Sequence, residues 1–192
     1  MRVIPLQREP TPAPELSDEA LMAACSVGDR NALAALFRRH HARIHGFCAR
    51  MLGDDPDDVV QSTFLVAWRD ASRFRAKASV RAWLLGIAAN LVRRELRARR
   101  HARRAHDTLL AEPIAIAPDP GKQVEEKERI ARLAAAIGRL PVDLREAFVL
   151  CTLEGIPGPE AARILDVRPG TLWRRLHDAR KRLLPLVEGE DT

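Results

Sequence analysis

Apolar residues in this chain recur at the three-and-four spacing of an α-helix, and nowhere at the alternation of a strand. Leu21, Ala24 and Cys25 predict a short helix. Ser17 stands before it as an N-cap, with Asp18 and Glu19 in the first turn, where acids suit the positive helix end. Gly28-Asp29 breaks that helix. A long one follows from Asn31, with Leu33, Leu36, Phe37, Ile44, Phe47, Cys48, Met51 and Leu52 on its apolar face, until Gly53-Asp54-Asp55-Pro56 ends it. Asp57 to Arg69 is apolar around most of its circumference, yet Asp58, Gln61, Leu65 and Trp68 share one stripe at i, i+3, i+7 and i+10. Such a mixture suits a protein-docking face, and it also occurs in ordinary cores. Arg73 to Ser79 reads as a basic loop. The helix predicted from Ser79 to His101 or beyond has two halves: Val80, Trp83, Leu84, Ile87, Ala88 and Leu91 first, then Arg93, Arg94, Arg97, Arg99, Arg100, Arg103 and Arg104, opposed only by Glu95. Like charges at these spacings destabilise a helix unless they are solvated or neutralised, and phosphates would neutralise them.

Beyond this point the composition changes. Pro113, Pro118, Pro120 and Gly121 preclude regular helix over much of residues 105–124, which read as a linker. Ile130, Leu133, Ala134 and Ile137 then predict a helix from Glu125 to Leu140. Another is predicted from Val142 to Leu153, with Leu144, Ala147, Phe148 and Cys151 inward. The last stretch reads as helix, turn, helix. Pro159 to Leu165 forms the first helix, packing through Ala161, Ala162 and Leu165. Asp166 to Gly170 forms the turn, and Thr171 restarts the helix as an N-cap or first-turn residue. Leu172, Leu176, Ala179 and Leu183 form a buried stripe, while Arg174, Arg175, His177, Asp178 and Lys181 fall largely on the opposite face; Pro185 ends the helix. An apolar stripe with donors aimed outward is what a recognition helix in a DNA major groove requires. The blander reading is an amphipathic pair with a solvated basic face.

The expected fold is therefore all-α: two small helical domains, 17–104 and 125–187, joined by the Pro-rich linker 105–124. A tail at 1–16, carrying Pro5, Pro10, Pro12 and Pro14, precedes them, and an acidic tail at 188–192 follows. A net charge of +6 over 192 residues, with a pI near 10.0, favours a polyanionic partner such as nucleic acid. No apolar run is long enough to span a bilayer, and the proline-rich start lacks the apolar core of a signal peptide, so a cytoplasmic location is expected. Cys25, Cys48 and Cys151 are scattered, with no paired spacing. His40, His41 and His45 lie close together, but no acid or thiol completes a metal set at the usual spacing. With no phosphate-cradling glycine loop and no nucleophile elbow, neither enzyme chemistry, a cofactor nor a small-molecule substrate is expected.

Two ordered motif sets sharpen this picture. Asp57-Asp58-Val59-Val60-Gln61-Ser62-Thr63-Phe64-Leu65-Val66-Ala67-Trp68 and Arg81-Ala82-Trp83-Leu84-Leu85-Gly86-Ile87-Ala88-Ala89-Asn90 resemble region 2 of bacterial sigma factors. Leu140-Pro141, Arg145-Glu146-Ala147-Phe148, Gly170-Thr171-Leu172 and Arg175-Leu176 through Ala179-Arg180 resemble region 4. The chain, from about Ser17 to Leu184, thus resembles an extracytoplasmic-function (group 4) sigma factor of the sigma-70 family. The resemblance implies binding to core RNA polymerase and recognition and opening of promoters. It places Asp58, Gln61 and Leu65 on the polymerase clamp, and Arg75, Lys77, Trp83, Asn90, Arg93, Arg94 and Arg97 at the −10 element. Thr171, Trp173, Arg174, Arg175, His177 and Lys181 would lie at the −35 element. It also implies control by an anti-sigma factor. A basic loop beside an aromatic-bearing helix agrees, since it offers phosphate contacts and shelter for an unstacked base. The chain departs from the usual pattern at Trp173-Arg174, where the family often has Lys-Ser, at Glu160-Ala161-Ala162 for Glu-Ile-Ala, and at Pro56-Asp57-Asp58 for Ala-Glu-Asp. The alternative is a stand-alone helix-turn-helix regulator with an N-terminal sensor domain, which explains the C-terminal motif but neither the docking helix nor the arginine helix.

Overall fold

The computed structural model describes residues 16–53, 55–75, 78–106 and 124–188, with side chains described as far as residue 102 and again from 131 to 184. Lys77, nearly all of the tail at 1–16, the linker at 107–123 and the acidic end at 189–192 lie outside the described residues. Among the described residues all regular structure is helical: α1 (Asp18–Ser26), α2 (Arg30–Leu52), α3 (Asp57–Arg69), α4 (Val80–His106), α5 (Val124–Arg139), α6 (Val142–Phe148), α7 (Gly158–Ile164) and α8 (Pro169–Glu188). A 3₁₀ turn, Ala71–Arg73, follows α3, and a π-helical segment, Val149–Leu153, follows α6.

The first four helices are organised around α2. Its Ile44, Phe47, Cys48 and Met51 are wholly buried, and α3 and α4, which lie against it and against each other, bury Val60, Phe64, Ala67, Val80, Leu84 and Ala88. Ser17 caps α1 as predicted, its Oγ accepting the Ala20 N–H at 3.2 Å. The α2 cap is Asp29, one residue before the helix, because its carboxylate accepts the N–H groups of Asn31 at 2.8 Å and Ala32 at 3.4 Å. Asp18 then holds α1 to α2 by accepting from Arg39 at 3.0 Å and pairing with His40 at 2.8 Å. Ser79 opens α4 in the same manner, accepting the Ala82 N–H at 3.2 Å.

The second group places α6 and α8 side by side, with α5 and α7 against α8. Leu172, Leu176, Ala179 and Leu183 are all buried, as their spacing predicts. Other expectations need correction. Ala134 is exposed, and Ala136 joins Ile137 in the core instead. The helix expected through Leu153 changes to π geometry at Val149, shown by the Glu154 N–H bonding back to the Val149 carbonyl at 2.8 Å. The wider turn leaves Cys151 half-buried and Leu153 exposed, and carries Glu154 into the interior. Pro169 and Gly170, expected in the turn, are already helical. The N–H groups of Thr171 and Leu172 bond to the Arg168 carbonyl, so Thr171 is a first-turn residue and not the cap. The left-handed residue of the turn is Asp166, at φ 52°, which an aspartate tolerates better than most side chains. Pro185 does not end α8; the helix continues to Glu188, since a proline near a helix end removes only one N–H.

The two groups touch. α7 lies against α4, while α5 and α6 lie against α2. At the α4–α7 contact, a Cβ added to Gly86 would sit 3.7 Å from Ile164, so the helices approach closely without a clash.

Candidate nucleic-acid interface

On α3 the predicted stripe divides. Asp58, Gln61 and Leu65 are exposed on one face, and Leu65 is 58% accessible, unusual for a leucine. Trp68, three residues further, turns partly inward and packs on the core. The face left outside carries an acid, an amide and an aliphatic group in a row along the helix.

The −10 candidates gather on the loop after α3 and on α4. Phe74 meets Trp83 edge-on, with ring centroids 5.5 Å apart, and this contact anchors the loop to α4. Arg75 donates to the carbonyls of Ser72 at 2.9 Å and Phe74 at 3.1 Å, which curls its side chain over the loop. Arg94 and Arg97 point into solvent. Asn90 is exposed and accepts a hydrogen bond from Arg93. Arg93 itself reaches across to the second group of helices: it donates to the Ile164 carbonyl at 3.3 Å and lies 3.7 Å from the Glu146 carboxylate. A cleft of about 280 Å³ runs along this seam, with Trp83, Ile87 and Asn90 of α4 on one wall and Glu160, Arg163 and Ile164 on the other. The α4 face that the sequence assigns to the −10 element is thus partly covered by α7.

On α8, Thr171, Trp173, Arg174, His177 and Lys181 are exposed. Arg174 lies 3.9 Å from Asp178 one turn on, a loose surface pair. Arg175 departs from the expected outward face. It is half-buried and turns toward α6, 3.5 Å from Asp143. The reason is spacing: three residues after Leu172 and four before Ala179, it stands on the same side as the buried stripe.

Three ionic groups at the seam were not singled out as site residues by sequence reasoning. Arg145 donates to the Met51 carbonyl at 2.8 Å across the seam, and to the carbonyls of Leu140, at 3.0 Å, and Gly138 within its own half. Glu154, only 5% exposed, receives Arg50 at 3.3 Å and lies 3.7 Å from Arg43, both on α2. Glu146 is 3% exposed. Burial pushes the carboxyls of both glutamates above their ordinary range. Arg93 and Arg175 pull Glu146 back toward it; Arg43, Arg50 and Arg81 do the same for Glu154. Burial also lowers the Arg145 guanidinium. A charged pair inside a helical motif was the available signal, but nothing local shows that it faces another helix group.

Cys25, Cys48 and Cys151 are unpaired thiols, and among the described residues no group of three His, Cys, Asp or Glu is placed to hold a metal ion. No helix among the described residues is long and apolar enough to cross a membrane.

Residues 36–102 match Sigma-70 region 2, and residues 130–183 match Sigma-70 region 4. These spans coincide with the α2–α4 group and with the helices that carry the helix-turn-helix, in the order a sigma-70 protein requires. The chain is 38% identical over 176 residues to the ECF RNA polymerase sigma factor SigM of Mycobacterium tuberculosis, covering 90% of this chain and 86% of that protein. It is 34% identical over 187 residues to the RNA polymerase sigma factor CnrH of Cupriavidus metallidurans, covering 92% and 97%. Among solved structures it resembles CnrH in complex with the cytosolic domain of CnrY, with a TM-score of 0.65, 28% identity and coverage of 91% and 99%. It also resembles the sigma factor RpoE of Bartonella quintana in complex with the anti-sigma factor NepR, with a TM-score of 0.68, 25% identity and coverage of 83% and 98%. The chain belongs to the sigma-70 family, in its extracytoplasmic-function group.

Proposed function

We propose that this chain is a promoter-specificity factor for bacterial RNA polymerase, with two functional domains, 17–104 and 125–187, and no catalytic chemistry of its own. Asp58, Gln61 and Leu65 dock on core polymerase. Arg75, Lys77, Trp83, Asn90, Arg93, Arg94 and Arg97 engage the −10 element. Thr171, Trp173, Arg174, Arg175, His177 and Lys181 serve the −35 element, with Arg175 as the member nearest the core. The protein acts in the cytoplasm, where polymerase and promoters are. The observation that carries this reading is the pairing, in one chain, of an exposed acid–amide–leucine face on α3 with an exposed basic face on α8, each inside its matching sigma-70 region.

To meet DNA, Arg93 must leave Glu146, and the α4 face of Trp83 and Asn90 must come clear of α7, which the two helix groups achieve by separating. The RpoE relative solved with the anti-sigma factor NepR favours the same kind of control here: a partner protein would keep the groups together or apart until a signal arrives. The test is transcription in vitro from a pooled promoter library, with purified core polymerase and this protein. Selective transcripts that depend on added protein are expected, and their sequences report both elements. Well-folded protein that yields none with competent core would overturn the reading in favour of a stand-alone regulator.

A further inference from the structure

The bulkiest exposed side chain on the recognition helix is Trp173, and 54% of its surface is accessible. It stands four residues before His177 and beside Arg174, on the flank of the outward face that looks toward α7. Its ring lies over Gly158, at the start of α7. A Cβ built on Gly158 would sit 2.5 Å from Cζ2 and 2.9 Å from Cη2 of the indole, closer than packed atoms come. The ring therefore occupies the space that any other residue at 158 would fill. One edge is held against backbone, and more than half of the residue stays open.

In a helix-turn-helix the second helix enters the major groove while the first crosses the backbone. A side chain on the α7 side of α8, in its second turn, faces the groove wall between them. Only one major-groove feature is apolar, the 5-methyl group of thymine. An indole offers hydrocarbon there and a single N–H donor. A ring already held on one edge loses little rotational freedom on binding, so its contact is realised nearly in full.

We propose that Trp173 is a specificity-determining residue that packs against the 5-methyl group of one thymine in the −35 element, and that Gly158 is the positioning residue that sets its ring. This rests on the reading of α8 as the −35 helix.

The test uses reconstituted holoenzyme and a promoter duplex obtained from the transcription selection, with each −35 thymine replaced singly by deoxyuridine. One replacement is expected to weaken wild-type binding about fourfold, the effect of one buried methyl, and to leave Trp173→Ser holoenzyme unaffected. Gly158→Ala should erase the same thymine preference, and should add nothing in the Trp173→Ser background. Uracil penalties that are equal in wild type and Trp173→Ser would overturn the proposal. So would a Gly158→Ala effect that persists unchanged without the indole, which would mark a structural cost alone. If Gly158→Ala fails to fold, the comparison of wild type with Trp173→Ser still decides the thymine contact. Trp173→Phe, which keeps an apolar ring but shortens its reach, should then show an intermediate preference, whereas a preference equal to wild type would overturn the role given to ring placement. Holoenzyme that transcribes no promoter overturns the sigma reading itself, an outcome distinct from promoter binding that ignores the methyl.

Discussion

Replacing Arg43 and Arg50 together by alanine should loosen the seam between the two helix groups, while replacing the glutamate they face should not. Glu154 is 5% exposed, with Arg50 at 3.3 Å and Arg43 at 3.7 Å. Removing one side of a buried ion pair costs about 3–5 kcal/mol, because the other charge is left in a low-dielectric site. Here both arginines are nearly half exposed, at 45% and 42%, so water already screens them, and Arg81 still faces the carboxylate. The expected cost falls to about 1–2 kcal/mol, which shifts the closed–open equilibrium about tenfold toward open. Glu154→Gln removes both the charge and its desolvation, and should stay within about 0.5 kcal/mol of wild type. pH provides an internal control. The Glu154 carboxyl is raised in the closed protein, so the closed form holds its proton more tightly than the open or unfolded chain. Its contribution is most favourable at low pH and declines as pH rises from the ordinary glutamate range through the raised value. The arginine double variant should therefore be weakest at pH 7.5 and approach wild type as pH falls toward the ordinary glutamate range. The assay is energy transfer between dyes on cysteines placed at the exposed positions Val27 and Leu184, in a chain with Cys151 replaced by alanine. Opening by Glu154→Gln equal to that of the arginine pair would refute the desolvation argument and make the ion pair itself what holds the seam, whereas no change in the double variant at pH 7.5 would leave apolar packing as what holds it.

Three further expectations concern the α8 core, the thiols and the exposed face of α3. Leu172→Ala, at a fully buried position on α8, should lose about 2–5 kcal/mol and lower the melting temperature, because a cavity opens in the helix-turn-helix core. Burial pushes the Cys48 thiol up to about 12 and raises Cys25 and Cys151 as well. Thiol labelling at pH 8 should therefore reach half-buried Cys151 first and Cys48 only on unfolding; early labelling of Cys48 would contradict its packing. Asp58→Lys combined with Gln61→Ala should weaken binding to core polymerase at least tenfold, an order-of-magnitude figure for a like-charge clash at a docking face. The melting temperature should hardly change, since both side chains are exposed, and an unaltered polymerase affinity would remove that face from the docking surface.

Much of the candidate site is legible in the sequence. Asp58, Gln61 and Leu65 stand outward at one face because a helix repeats every three to four residues, and that repeat is written in the chain. The buried stripe of α8 was legible for the same reason. Errors fell where local rules compete. Pro169, Gly170 and Pro185 are turn formers by habit, yet all lie within α8. There Pro169 needs no N–H in the first turn, and packing of the stripe outweighs the cost of the others. The charge of Arg175 suggests the outward face, but its position relative to Leu172 and Ala179 sets it on the inner side.

The helical class, most helix limits to within a few residues, the exposed face of Asp58, Gln61 and Leu65, and most of the exposed basic face of α8 can be read from the chain alone. All of these depend on neighbours within a turn or two. Only the tertiary structure decided that Glu146 and Glu154 are buried, that Arg93 engages Glu146 and Ile164 instead of standing free for DNA, and that the indole of Trp173 rests on Gly158. The physical reason is range. Glu154 and Arg50 are 104 positions apart, and Arg93 and Ile164 are 71 apart. Periodicity tells which side of a helix is apolar, but the partner against which that side closes is chosen by the packing of the whole chain.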